Sequence, residues 1–112
     1  MNISYIDGET RNICYSLINI NEPFTLEEIV TIRAYIADLR AAPSLGDAPV
    51  DYSIVKSAAS SDLLKIEFLD IQILCRIITT IPNPKPNQIK RILILQIIKT
   101  NIQIPRMKFN GL

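Results

Sequence analysis

The chain contains no histidine and no tryptophan, and only three glycines and two cysteines in 112 residues. Without histidine there is no Ser-His-Asp or Cys-His nucleophile arrangement, and no imidazole to complete a metal site. Three scattered glycines supply no phosphate-cradling loop. Cys14 and Cys75 have no Cys-x-x-Cys spacing and lie in segments that read as buried structure, so free core thiols are expected rather than zinc ligands or a disulfide. The apolar stretches Ile92 to Leu95 and Ile71 to Ile81 fall far short of a membrane span. The opening Met-Asn-Ile-Ser-Tyr-Ile-Asp lacks the basic start and apolar core of a secretory leader, so a reducing cytoplasm is the expected compartment. Any catalysis must therefore draw on Lys, Arg, Glu, Tyr or water.

One further absence is positional, because no acidic side chain follows Asp70. Residues 71–112 hold Arg76, Lys85, Lys90, Arg91, Lys99, Arg106 and Lys108, a formal +7, whereas residues 1–70 carry eleven acids against five bases. The net +1 hides two opposed halves. Such asymmetry points to a polyanionic partner if the cations share a face, and to a solvated basic edge if they do not. Hydrophobic residues make up 48% of the chain and charged residues 21%, which argues for a folded chain. At this length we expect a single domain over residues 1–112 with one core.

Ile3-Ser4-Tyr5-Ile6 reads as an opening strand that stops at Asp7-Gly8, and Asp7 can cap a short helix through Leu17. Thr25-Leu26-Glu27-Glu28 is a capping box. It opens a helix whose Leu26, Ile29, Ile32, Ile36 and Leu39 are spaced to share a core-facing stripe, and Pro43 ends it. Ser44 to Pro49 is a loop, and Ser57 to Ser61 is too small and polar for an interior strand. The period then shortens to two, because Leu64, Ile66 and Phe68 alternate with Lys65 and Glu67. Ile71 to Thr80 and Ile89 to Ile98 are apolar on both parities, as expected of central strands covered on each side. Pro82-Asn83-Pro84-Lys85-Pro86-Asn87 joins them as a hairpin loop, since three prolines remove ladder donors. The expected order is strand, helices, then a three-stranded meander, an α+β arrangement.

Lys65, Arg76 and Lys99 interrupt these strands. A lone buried guanidinium between Cys75 and Ile77 costs several kcal/mol, roughly, unless paired or solvated. Either Glu67 on the neighbouring strand neutralises Arg76, or Arg76 opens onto a groove where its planar fork suits phosphate oxygens.

Three strings, in this order and spacing, resemble the RelE/HigB superfamily of bacterial toxins, in particular its phage-derived HigB-like branch. Pro43-Ser44-Leu45-Gly46-Asp47-Ala48-Pro49-Val50 resembles the loop after that branch's second helix. Leu64-Lys65-Ile66-Glu67-Phe68 followed by Cys75-Arg76-Ile77-Ile78 resembles its central strand pair. Ile92 to Pro105 resembles its closing motif, and together the strings span residues 43–105. The resemblance implies a RelE-like α+β fold, with an N-terminal strand and two helices packed on a small, mostly antiparallel sheet.

The resemblance further implies a toxin that enters the ribosome and cleaves mRNA with no metal or other cofactor, held in check by an antitoxin of helix-turn-helix type. Arg76 matches the family's strand arginine and would clamp the phosphate. Lys99 matches the first basic residue of the closing motif and would stabilise the leaving oxygen or the pentacovalent phosphate, and Lys65 would contact the backbone or assist proton transfer. Lys90, Arg91, Gln103, Arg106 and Lys108 would bind RNA. The chain departs from the pattern in placing Lys65 and Glu67 where the HigB-like branch has Glu and Arg. It also has Thr100 or Asn101 in place of a second lysine, and no histidine as acid or base. The alternative is a relative on the same scaffold that does not cleave and instead binds RNA or a protein partner, as a degenerate toxin or a gyrase-type inhibitor of the ParE sort.

Overall fold

The computed structural model describes residues 1–15, 24–56 and 62–100, and these form an α+β fold of two helices on a five-stranded open sheet. In chain order the elements are β1 (Asn2–Tyr5), α1 (Gly8–Tyr15), α2 (Leu26–Ala41), β2 (Ser53–Val55), β3 (Leu63–Phe68), β4 (Ile71–Ile77) and β5 (Arg91–Lys99). The sheet order is β1-β5-β4-β3-β2. Only the β1–β5 pair is parallel, and its connection carries the helices across one face of the sheet.

Local chemistry starts both helices. Asp7 accepts from the Thr10 backbone N–H at 2.8 Å, satisfying an amide that α1 cannot, and this bond holds the Asp7 carboxyl below its usual range. At α2 the capping box is complete, with Thr25 N–H donating to Glu28 Oε1 at 2.8 Å and Glu28 N–H to Thr25 Oγ1 at 3.1 Å. Ala42 is extended, with ψ 139, as the residue before Pro43 must be. Met1 donates its ammonium to the carbonyls of Arg40 and Ala42, a cation placed at the negative end of α2.

Ile29, Ile32, Ile36 and Leu39 are buried in α2, but Leu26 is 71% exposed, contrary to the expected stripe. At about 100° per residue, Leu26 lies roughly 60° beyond Ile29 on the side away from Ile32, outside the buried arc. The stripe packs on Leu64, Ile66, Ile73, Ile77, Ile92 and their neighbours, and Tyr35 stacks on Phe68 with ring centroids 4.0 Å apart. Each such isoleucine contributes about 1.5–3 kcal/mol when fully buried, and its β-branch suits the pleated surface. Cys14 and Cys75 are free and buried in this core, with thiols pushed up to about 11 and about 12 by burial.

Two further expectations change. The expected three-stranded meander gains a fourth antiparallel strand, Ser53–Val55 beside β3, in a stretch to which the sequence assigned no element. Among the described residues the helices cover one face of the sheet only, so the second apolar parity of β4 and β5 is half-buried, at Leu74, Leu93 and Ile98, instead of lying under a second layer. The proline segment is a loop, as expected, ending in a turn of 3-10 helix at Pro86–Gln88. It packs against a second such turn at Leu45–Asp47, where Leu45 N–H donates to the Ile89 carbonyl at 2.9 Å. Leu17 and the Ser57–Ser61 tract lie outside the described residues.

Candidate functional site

Strand register places the charged side chains. In the β3–β4 ladder Lys65 pairs with Leu74 and Leu63 with Arg76, and in the β4–β5 ladder Arg76 pairs with Leu93. Ile78 N–H donates to the Arg91 carbonyl at 3.1 Å, one step further on. Side chains of one parity share a face, and the parity of Leu64, Ile73 and Ile92 is the buried one. Lys65, Arg76 and Arg91 therefore all stand on the open face.

Each cation is displaced two residues from the next across a strand boundary, so the three form a diagonal over β3, β4 and β5. Diagonal neighbours of this kind are about 7–8 Å apart, giving a line roughly 15 Å long between the end positions. In their rows, Lys65 lies between Ser53 and Leu74, Arg76 between Leu63 and Leu93, and Arg91 beside Asn2. The leucines support the aliphatic stems while the charged heads reach water, which is how a guanidinium sits between Cys75 and Ile77 without a deep desolvation cost. Among the described residues none of the three is in an ion pair.

Glu67 does not neutralise Arg76. It pairs with Gln72, four positions along β4 from Arg76, about 13 Å at the strand repeat. It is the one acidic strand residue on the open face among the described residues, and it stands two residues from Lys65, at the far end of the face from Arg91.

Lys99 is not brought to this group. A bulge between Leu74 and Cys75 leaves Leu95 unmatched in β5, with Ile94 opposite Cys75 and Gln96 opposite Leu74. The extra residue reverses the alternation, so Ile97 is buried and Lys99 pairs with Ile71 on the helix side. There Lys99 Nζ meets Glu28 Oε1 at 3.1 Å, with side chains 19% and 13% exposed. The Glu28 carboxyl is held below its usual range, first by the Thr25 N–H and also by Lys99. Lys99 and Arg76 are thus on opposite faces, their rows five positions apart or roughly 16 Å along the strand.

Lys90 precedes β5 and is exposed, and its carbonyl accepts from Asn2 N–H. Gln103, Arg106 and Lys108 lie outside the described residues. Sequence reasoning placed Glu28 in the capping box but missed its pairing with Lys99, and it missed the placement of Asn2 and Ser53 beside Arg91 and Lys65, since only register shows which positions become neighbours. Among the described residues no group of three metal-ligating side chains could hold an ion, and no helix is long and apolar enough to cross a membrane. Compared with known protein families, curated proteins and solved structures, the chain matches none.

Proposed function

We propose that this chain is a RelE/HigB-like toxin that inhibits translation in the cytoplasm by engaging mRNA at the ribosome through its open sheet face. The observation that carries the reading is the Lys65–Arg76–Arg91 diagonal, three cations that among the described residues are unpaired and share a face that no described helix covers. Aligned cations of this kind bind a polyanion and stabilise charge that builds on phosphate oxygens. In cleavage, the RNA 2′-oxygen forms a bond to the adjacent phosphorus and the bond to the 5′-oxygen breaks. The 2′-hydroxyl loses its proton as the 5′-oxygen gains one. Arg76 clamps the non-bridging oxygens and holds the phosphate in line, while Lys65 contacts the backbone or assists the proton transfer. An antitoxin of helix-turn-helix type would silence the protein by covering this face.

The second reading keeps the interface and drops the cleavage, leaving a binder of RNA or a protein partner. It is favoured by the Lys99–Glu28 pair, which holds the third expected catalytic cation on the other side of the sheet, and by the lack of histidine. Controlled expression beside a translation reporter separates the two, comparing wild type with Lys65→Ala and Arg76→Ala. Growth arrest with mRNA cut at ribosome-bound codons, lost in both variants, supports the toxin nuclease. Arrest without cutting supports the second reading, and normal growth with intact mRNA overturns the nuclease.

A further inference from the structure

Helix α2 carries a second apolar line, away from the sheet. Leu26 and Val30 are 71% and 60% exposed, and Ala34, Ala37 and Ala41 are exposed as well. At about 100° per residue these positions gather in an arc of roughly 80°, centred about 140° round the helix from the buried Ile29, Ile32, Ile36 and Leu39. No polar residue of α2 falls inside that arc. Charges border it, sorted by sign, with Glu27 and Asp38 along one edge and Arg33 and Arg40 along the other. They give α2 no internal support, because the positions three and four residues to either side of Arg33 and Asp38 hold no opposite charge. Asp38 is exposed, and among the described residues neither it nor Arg33 is in an ion pair. Arg33 is steadied beside the line by donating from Nε to the Ile13 carbonyl at 3.2 Å, and its Nη2 has no hydrogen-bond partner.

We propose that a second copy of this chain docks here, α2 parallel to α2, with the apolar lines in contact and Arg33 of each copy meeting Asp38 of the other. From Val30 to Ala41 the line falls on the d and a positions of a heptad, which makes Arg33 a g position and Asp38 the e position that follows it. In a parallel pair those two edges face each other, and the twofold axis makes the contact twice. An antiparallel pair would set Arg33 against Arg33 and acid against acid, so the sorted charges select the parallel arrangement. The three alanines let the helix axes approach toward the short end of the usual range of about 8–10 Å. A contact of about three turns is small for a specific interface, so the dimer is weak and forms as concentration rises. Each copy's sheet lies behind its own α2, so the pair keeps both open faces outward, and it does not depend on what those faces bind.

The test is sedimentation equilibrium of the full chain at low salt, from about 10 μM to about 1 mM, over which the average mass should climb toward twice that of the monomer. Val30→Glu puts a charge into the apolar seam and should raise the dissociation constant at least about tenfold. Asp38→Arg, at an exposed position, sets like charges together at both symmetric contacts and should weaken pairing by about tenfold, as should Arg33→Glu. Mixing those two charge variants should restore pairing to within about threefold of wild type, because every such contact in the mixed dimer joins opposite charges. Ala41→Cys meets its own copy only in the parallel arrangement, so copper phenanthroline should link it to itself, while Cys14 and Cys75 stay buried. A mass that stays monomeric up to about 1 mM overturns the proposal. So does a dissociation constant that either Val30→Glu or Asp38→Arg leaves unchanged, or a mixture that stays monomeric although both charge variants match wild type in circular dichroism. An Ala41→Cys variant that dimerises without cross-linking overturns it as well.

Discussion

Replacing Lys99 with alanine should weaken the fold and leave the proposed RNA binding by the open face intact. Lys99 reaches Glu28 at 3.1 Å with both side chains mostly covered, between the exposed pairs worth about 0.2–1 kcal/mol and the fully buried ones that cost about 3–5 kcal/mol to break. Glu28 keeps its bond from the Thr25 N–H after the substitution, so the stranded carboxylate is not wholly uncompensated. A loss of about 1 kcal/mol follows, or roughly a 4–6 °C drop in melting temperature for a chain of this size. Urea unfolding of wild type, Lys99→Ala, Glu28→Gln and the double variant isolates the pair, and the coupling energy should be about 0.5–1 kcal/mol. The pH dependence has a definite sign. Because the folded Glu28 carboxyl titrates below its usual value, its contribution is fully present above the unfolded value and is lost as pH falls through the folded one. Wild type should therefore lose more stability than Glu28→Gln between neutral pH and the acid side of the ordinary glutamate range. If Lys99→Ala unfolds at the wild-type denaturant concentration and flattens the salt dependence of RNA binding, Lys99 acts on the open face and the bulge argument is wrong.

Gly46→Ala would put a Cβ 3.2 Å from the Asn87 backbone nitrogen and 3.3 Å from the Pro86 carbonyl carbon. Because backbone atoms cannot swing aside, a cost of about 1–2 kcal/mol is expected in chemical denaturation, and an unchanged midpoint would mean that the two loops part freely. Leu69 occupies the β3–β4 turn at φ 53 and is 77% exposed, so Leu69→Asn should stabilise by about 0.5–1 kcal/mol, with a lower melting temperature counting against the strain. The thiols of Cys14 and Cys75, pushed up to about 11 and about 12 by burial, should resist a thiol-specific reagent at neutral pH until denaturant is added, both then reacting together. Rapid labelling of either in the native protein would show that the core opens locally.

Much of the fold is legible because its signals are local. The Thr25–Glu28 box, the Asp7 cap, the alternation through Leu64, Ile66 and Phe68 and the three-proline loop each depend on spacings of a few residues, and each reappears in the structure. What sequence left open depends on which strand lies against which. Whether Glu67 meets Arg76 is decided by the pairing of Glu67 with Gln72, a relation between two strands that neither strand encodes alone. Leu26 shows the same limit within a helix, since its spacing to Ile29 is permitted but the arc that becomes buried is set by the sheet beneath.

The decisive case is β5. Read by simple alternation, Arg91, Leu93, Leu95, Ile97 and Lys99 share one parity, which would put Lys99 on the same face as Arg91 and Arg76. Ile97 and Ile98 are equally apolar, so the hydrophobic pattern does not reveal the single extra residue at Leu95. Its effect is large because every later side chain changes face. The same bulge therefore removes a cation from the open surface and supplies α2 with the partner of its capping glutamate. Of the positive charge that accumulates after Asp70, Lys99 ties the end of the last strand to the start of a helix, whereas Arg76 and Arg91 stand with Lys65 on the open face. The acid-free segment is thus divided by strand phase between structural and solvent-facing roles, and its formal charge overstates what the open face can present.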